Sequence, residues 1–129
     1  NQGGSIINIS STAGLFGFPH RTPYAASKWA VIGMTKSLAM ELGDFNVRVN
    51  AICPGSVSGD RMGRVIEAKA KSIGVSEQEL QQDYESMVSL NTFVDKEDIA
   101  SMALFLISNE AKRISGQVMT VDGNTERMT

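Results

Sequence analysis

The sequence predicts an α/β protein built on a parallel sheet with helices packed against it. Three observations lead there. Short β-branched runs alternate with longer helical patterns, the stretches joining the runs are long enough to hold a crossover helix, and serines stand just after the first run. With 129 residues, 42% of them hydrophobic and 20% charged, the chain amounts to one domain or part of one.

The elements follow in order. Ser5-Ile6-Ile7-Asn8-Ile9-Ser10 is bounded by glycines and a turn-rich segment, and reads as a largely buried strand that delivers serines into a loop. Thr22-Pro23 reads as an N-cap with proline at the first helical position. The helix continues through alanine-rich sequence to about residue 42, and Gly43 stops it. A second strand over 46–53 is broken by Pro54-Gly55, and strand, helix and strand together form a βαβ unit.

A helical hairpin is inserted next. Its first helix spans 60–73 and is stopped by Gly74. The second opens on the capping box Ser76-Glu77-Gln78-Glu79 and runs to about residue 90. The first carries Arg61, Arg64, Lys69 and Lys71 and the second is acidic, a pattern that suits either pairing of the two or two solvated faces. Asp95 caps a helix over 96–108 whose Ile99, Met102, Ala103, Leu106 and Ile107 recur at helical spacing. A last strand, 117–122, closes at Gly123, and the polar tail after it shows no pattern.

Composition narrows the function classes. A net charge of −2 and a pI near 5.3, without clustered Lys and Arg, argue against nucleic acid. The longest apolar stretches fall far short of the roughly 20 residues of a membrane span. Cys53 is the sole cysteine, so no internal disulfide forms and a cytoplasmic setting is expected. No metal-ligand set is expected.

Tyr24 and Lys28 stand four apart near a helix start, so their side chains share a face. An ammonium beside a phenol favours the phenolate, which moves a tyrosine toward proton transfer at neutral pH. By itself such a pair is far more often a surface pair than an active site. The case strengthens because Ser10 and Ser11 lie at a strand end, where parallel sheets place ligands.

At this point the chain resembles the compact, single-domain branch of the short-chain dehydrogenase/reductase family. Four blocks carry the resemblance: Asn8-Ile9-Ser10-Ser11, Tyr24-Ala25-Ala26-Ser27-Lys28, Arg48 through Gly55, and Ser115-Gly116-Gln117 through Val121-Asp122-Gly123. It implies a three-layer Rossmann-type fold, of which residues 1–129 hold the C-terminal part, with the last three strands and a substrate lid over about 56–92. It implies an NAD(P)-dependent oxidoreductase that interconverts a secondary alcohol and a carbonyl. Ser11, thirteen residues before Tyr24, would hold the substrate oxygen; Tyr24 would exchange its proton; Lys28 would bind the nicotinamide ribose and tune Tyr24. Pro54, Gly55, Ser56, Val57 and Ser58 would border the nicotinamide end of NAD or NADP.

The resemblance further implies a small-molecule alcohol or carbonyl substrate and a homo-oligomer, commonly a tetramer. The family's glycine-rich phosphate loop, its ribose-selecting residue and the asparagine of its catalytic tetrad are expected upstream. Gly59 replaces a threonine frequent in relatives, so that a cofactor contact is either lost or passed to Ser58, and Asn124 stands where a second glycine often follows Val-Asp-Gly. Arg61 and Arg64, at the start of the lid, suit an anionic substrate. His20 and Arg21 read as a solvated loop pair rather than a substrate contact. Cys53 reads as a small core residue, and Trp29 and Met34 as core or subunit contacts. Two other readings stand beside this one: a catalytically inert fragment, and a sugar-nucleotide epimerase or dehydratase, which the block ending Val121-Asp122-Gly123 disfavours.

Overall fold

Alternation of side chains along each strand decides which helix covers which face. The computed structural model describes residues 3–128 and holds a three-stranded parallel sheet in the order β1 (Gly4–Ile9), β2 (Val47–Pro54), β3 (Val118–Val121). β1 runs beside β2 from Gly4 opposite Val47 to Ile9 opposite Ile52, and β3 pairs with β2 from Ala51 to Pro54. Helix α1 (Thr22–Leu42) links β1 to β2. The longer connection to β3 contains α2 (Asp60–Ile73), α3 (Glu77–Glu85) and α4 (Lys96–Ile107).

Asn8 and its register partner Ala51 share a face. Asn8 donates to the Thr35 hydroxyl at 3.0 Å, which puts α1 on that side. Arg48 points to the other face and donates to the Leu106 carbonyl of α4 at 2.7 Å. The expected three layers are therefore present. β2 is the centre of the core: Val49, Asn50, Ala51, Ile52 and Cys53 are fully buried. A satellite core of Ile66, Ala70 and Leu80, flanked by Met62, Tyr84 and Phe93, joins α2 to α3. Lys69 lies over the Tyr84 ring, 5.0 Å from its centre, so the charge asymmetry of the hairpin meets an aromatic face.

Several sequence expectations need correction. β1 is not largely buried: Ile6 and Ile9 are 38% and 50% exposed, because among the described residues β1 has a neighbouring strand on one side only. Trp29 and Met34 are about half exposed, so they are not core residues. Thr22 is the first residue of α1 rather than its cap; Arg21 occupies the cap position without a side-chain cap bond. The second hairpin helix ends at Glu85, not near residue 90. Its expected last turn is drawn off to the chain's end, where Ser89 and Leu90 donate to the carbonyls of Asn124 and Gly123 and Val88 bridges Thr125. The tail is thus an ordered partner of that segment.

Two departures from the family pattern have backbone causes. Gly59 has φ 136°, where a threonine would be strained, and Asn124 has φ 70°, a left-handed conformation that asparagine tolerates better than most residues.

β3 is attached to β2 largely through one buried amide. Asn50 donates to the Ile114 carbonyl at 2.9 Å and accepts from the Gln117 amide at 3.0 Å. Asn50→Ala removes both bonds, leaving the Ile114 carbonyl to Arg48 alone, and should cost about 1–3 kcal/mol in urea unfolding of the complete protein. A loss below about 0.5 kcal/mol would show that the amide does not secure β3.

Candidate active site

Parallel strands leave their carboxyl ends open for ligands, and the predicted residues gather at that end. The backbone leaves β1 at Ser10, whose amide still donates to the Ile52 carbonyl at 2.8 Å. Ser10 is buried, and its hydroxyl donates to the Lys28 carbonyl at 2.8 Å, which clamps the strand end to α1. Ser11 is half-buried and caps the turn Thr12–Gly14, with its hydroxyl accepting from the Ala13 amide at 3.1 Å. Of the two serines, Ser10 is consumed by the fold, whereas Ser11 keeps its hydroxyl proton to donate.

The close approach of that turn to α1 depends on Gly14. A Cβ there would lie 2.6 Å from the Ser10 hydroxyl and 2.9 Å from the Lys28 carbonyl. Tyr24 and Lys28, both half-buried, project from the first turns of α1, and the Lys28 ammonium lies 5.7 Å from the centre of the Tyr24 ring. That ammonium also donates to the Ile9 carbonyl at 3.5 Å, a long contact that leaves two of its three donors for a ligand hydroxyl. This donor set fits a ribose.

Arg21 is exposed, as a solvated loop residue would be, but it does not stand alone. Its guanidinium carbon lies 5.0 Å from the Tyr24 ring centre and 5.5 Å from that of Phe18. The two rings meet edge to face, 6.3 Å apart. The signal available was its position three residues before Tyr24, with Phe18 three residues earlier still. His20, in contrast, is exposed with φ 65°. Arg61 and Arg64 are exposed on α2.

Pro54 and Gly55 turn away from β2 hard against the end of β3. The Gly55 amide donates to the Val121 carbonyl at 3.0 Å, and a Cβ at Gly55 would come within 2.8 Å of the Asp122 side chain. Beyond the turn, the Ser56 carbonyl accepts from the Val94 amide, the Ser58 amide donates to the Val94 carbonyl, and Val57 bridges Val94. The Ser58 hydroxyl is drawn to Asp95 at 2.6 Å. The segment is therefore fastened to the start of α4. Pro54 through Val57 are half-buried, and Ser58 is exposed.

Cys53 lies beneath the two serines. Burial pushes its thiol up from the ordinary range, opposed by a hydrogen bond with the Ser10 side chain. Two clefts lie apart from these residues: one of about 640 Å³ between residues 89–94 and 120–124, and one of about 340 Å³ beside Lys36, Met40 and Gly116. Among the described residues no cluster could hold a metal ion, and no helix is long and apolar enough to cross a membrane.

Comparison with known proteins agrees with this fold. A family model described as Enoyl-(Acyl carrier protein) reductase matches residues 1–124. The 3-oxoacyl-(acyl-carrier-protein) reductase of Thermotoga maritima is 40% identical over 122 residues, covering 95% of this chain and 45% of that protein. The crystal structure of a short chain dehydrogenase family protein from Francisella tularensis superposes with a TM-score of 0.90 at 34% identity, over 95% of this chain and 51% of that one. A variant actinorhodin polyketide ketoreductase with NADPH gives 0.87 at 35% identity, over 95% and 47%. The chain thus spans about half the length of the relatives it matches.

Two outcomes follow from the site geometry. Gly14→Ala should push the turn off α1 and lower turnover in the complete protein at least about tenfold, because angstrom-scale misplacement of reacting groups is costly; wild-type turnover would show that the close contact positions nothing. Since the buried Cys53 thiol resists ionisation, iodoacetamide at pH 8 should label it at least about tenfold more slowly in the folded than in the urea-unfolded protein. Equal rates would contradict its burial.

Proposed function

Because the chain belongs to the short-chain dehydrogenase/reductase family, we propose that it supplies the proton-transfer side of an NAD(P)-dependent oxidoreductase site. The reaction interconverts a secondary alcohol and its carbonyl in a small-molecule substrate. One observation carries this reading: Tyr24 and Lys28 project from one face of α1, at the point where Ser10 clamps that helix to the strand end bearing Ser11.

In the oxidative direction Tyr24 takes the alcohol proton at its phenol oxygen, and in the reductive direction it returns one. Ser11 donates its hydroxyl proton to the substrate oxygen, orienting the carbon that changes oxidation state. Lys28 brings positive charge to the ring and so stabilises charge that develops on the phenol oxygen. Its remaining donors hold the nicotinamide ribose. Pro54, Gly55, Ser56, Val57 and Ser58 border the nicotinamide, with backbone groups doing most of the work. Bound NAD or NADP supplies the hydride chemistry. The exposed Trp29, Met34 and Met40 on α1 support a homo-oligomer, a tetramer on the family's pattern, that covers this helix. The proposed setting is the cytoplasm.

The chain spans 45% of its T. maritima relative, which favours a second reading in which these residues alone are catalytically silent. The test therefore compares the 129-residue chain with the complete protein, titrating NADH and NADPH against nicotinamide fluorescence. Binding is expected for the complete protein only. Tyr24→Phe should then lower its kcat about 10²- to 10⁴-fold while nucleotide affinity holds, and Lys28→Met should weaken both. Full turnover by Tyr24→Phe would overturn the assignment.

A further inference from the structure

We infer that Arg21 determines specificity by binding the carboxylate of a short hydroxy or keto acid, a proposal that rests on Tyr24 being the proton-transfer group. The two residues are neighbours: the guanidinium carbon stands 5.0 Å from the Tyr24 ring centre, and Phe18 flanks the same cation at 5.5 Å. An exposed arginine is ordinarily mobile and solvated. This one, though exposed, lies beside two rings that meet edge to face at 79°.

Stacking occupies the flat face of a guanidinium and leaves its N–H donors, which lie in the plane, free to act. Among the described residues no carbonyl or carboxylate accepts a hydrogen bond from Arg21, nor does any acid pair with it. Arg48 shows the opposite use of the same side chain, with its donors on the carbonyls of Leu106 and Ile114. Arg21 therefore presents a positive charge with unengaged N–H donors beside the proposed proton donor. Those donors match a carboxylate, which can take two parallel N–H bonds.

Proximity limits the ligand's length. The cation overlies the ring whose hydroxyl would engage the substrate oxygen, so the carboxylate and the reacting carbon must lie within a few bonds of each other. A short hydroxy acid, or the keto acid it yields, meets that condition. Arg61 and Arg64, the arginines that first suggested an anionic substrate, stand exposed on α2, where no contact links them to Tyr24.

The test uses the complete protein with 2-, 3- and 4-hydroxy acids of four or five carbons, each paired with its methyl ester, and whichever nucleotide binds. At least one acid should be preferred over its ester by about tenfold or more in kcat/KM. Arg21→Gln should raise KM for that acid roughly 10- to 100-fold, with kcat changing far less and the ester affected far less than the acid. Arg21→Lys should recover part of the lost affinity. A wild-type enzyme that prefers none of the acids to its ester would overturn the proposal, as would an Arg21→Gln variant that loses acid and ester turnover by the same factor. Tyr24→Phe, assayed alongside, separates the two readings: loss of turnover on every substrate leaves the Arg21 comparison standing by itself, whereas retained turnover overturns both.

Discussion

The hydrogen bond from the buried Ser10 hydroxyl to the Lys28 carbonyl is the constraint on which the rest of the site depends. It is made between a strand end and the backbone of a helix, so it fixes two elements rather than two side chains. Lys28 gives its carbonyl to the fold and its ammonium to the site, and the one residue thereby ties the frame to the chemistry. Such a bond adds only about 1 kcal/mol net to stability. Its weight is geometric: without Gly14 the turn could not approach closely enough to make it, and without the turn Ser11 would have no fixed position relative to Tyr24.

A second network does the same for the cofactor side. Asn50, Ser115 and Gly116 fasten β3 to β2 through the Ile114 and Val49 backbones and the Gln117 amide. Buried polar groups left unpaired cost several times what a satisfied bond gains, so this lattice tolerates few substitutions. Its consequence lies at the far end of the same strands. β3 held in register brings Asp122 against Gly55, and the Pro54-Gly55 turn is thereby aimed at the open end of the sheet.

Much of this was legible in the sequence because local chemistry determined it. Proline near the start of α1, Gly74 in the left-handed conformation after α2, and the reciprocal cap of Ser76 and Glu79 each act within a few residues, and each lies where the pattern indicated. What was illegible depended on distant partners. Ser10 and Ser11 are adjacent and chemically identical; the resemblance singled out Ser11 by its spacing to Tyr24, but the physical difference, that Ser10 is bound to the Lys28 carbonyl, was not readable. The end of α3 was overestimated because the residues after Glu85 have helical propensity but find better partners in Gly123, Asn124 and Glu126. Arg21 is exposed as expected, but its place beside Phe18 and Tyr24 was not readable, because that aromatic pair forms only once the loop is folded.

Residues 124–127 bear on the α2–α3 hairpin as well. Ser89 accepts from the Asn124 side-chain amide and donates to Glu126, each at 2.6 Å, Arg127 donates to Ser86, and the Glu126 amide donates to the Met87 carbonyl. On the other side of the hairpin, Ser56 and Ser58 are bound to Val94 and Asp95. Both ends of the α2–α3 hairpin are therefore secured to parts of the sheet and of α4. Between those anchors the hairpin has its own small core in Ile66, Ala70 and Leu80, separate from the one around β2. Bending within the hairpin would open that core at a cost in buried apolar area. The geometry thus holds the hairpin at both ends beside the strand end that bears Ser11 and the helix that bears Tyr24 and Lys28.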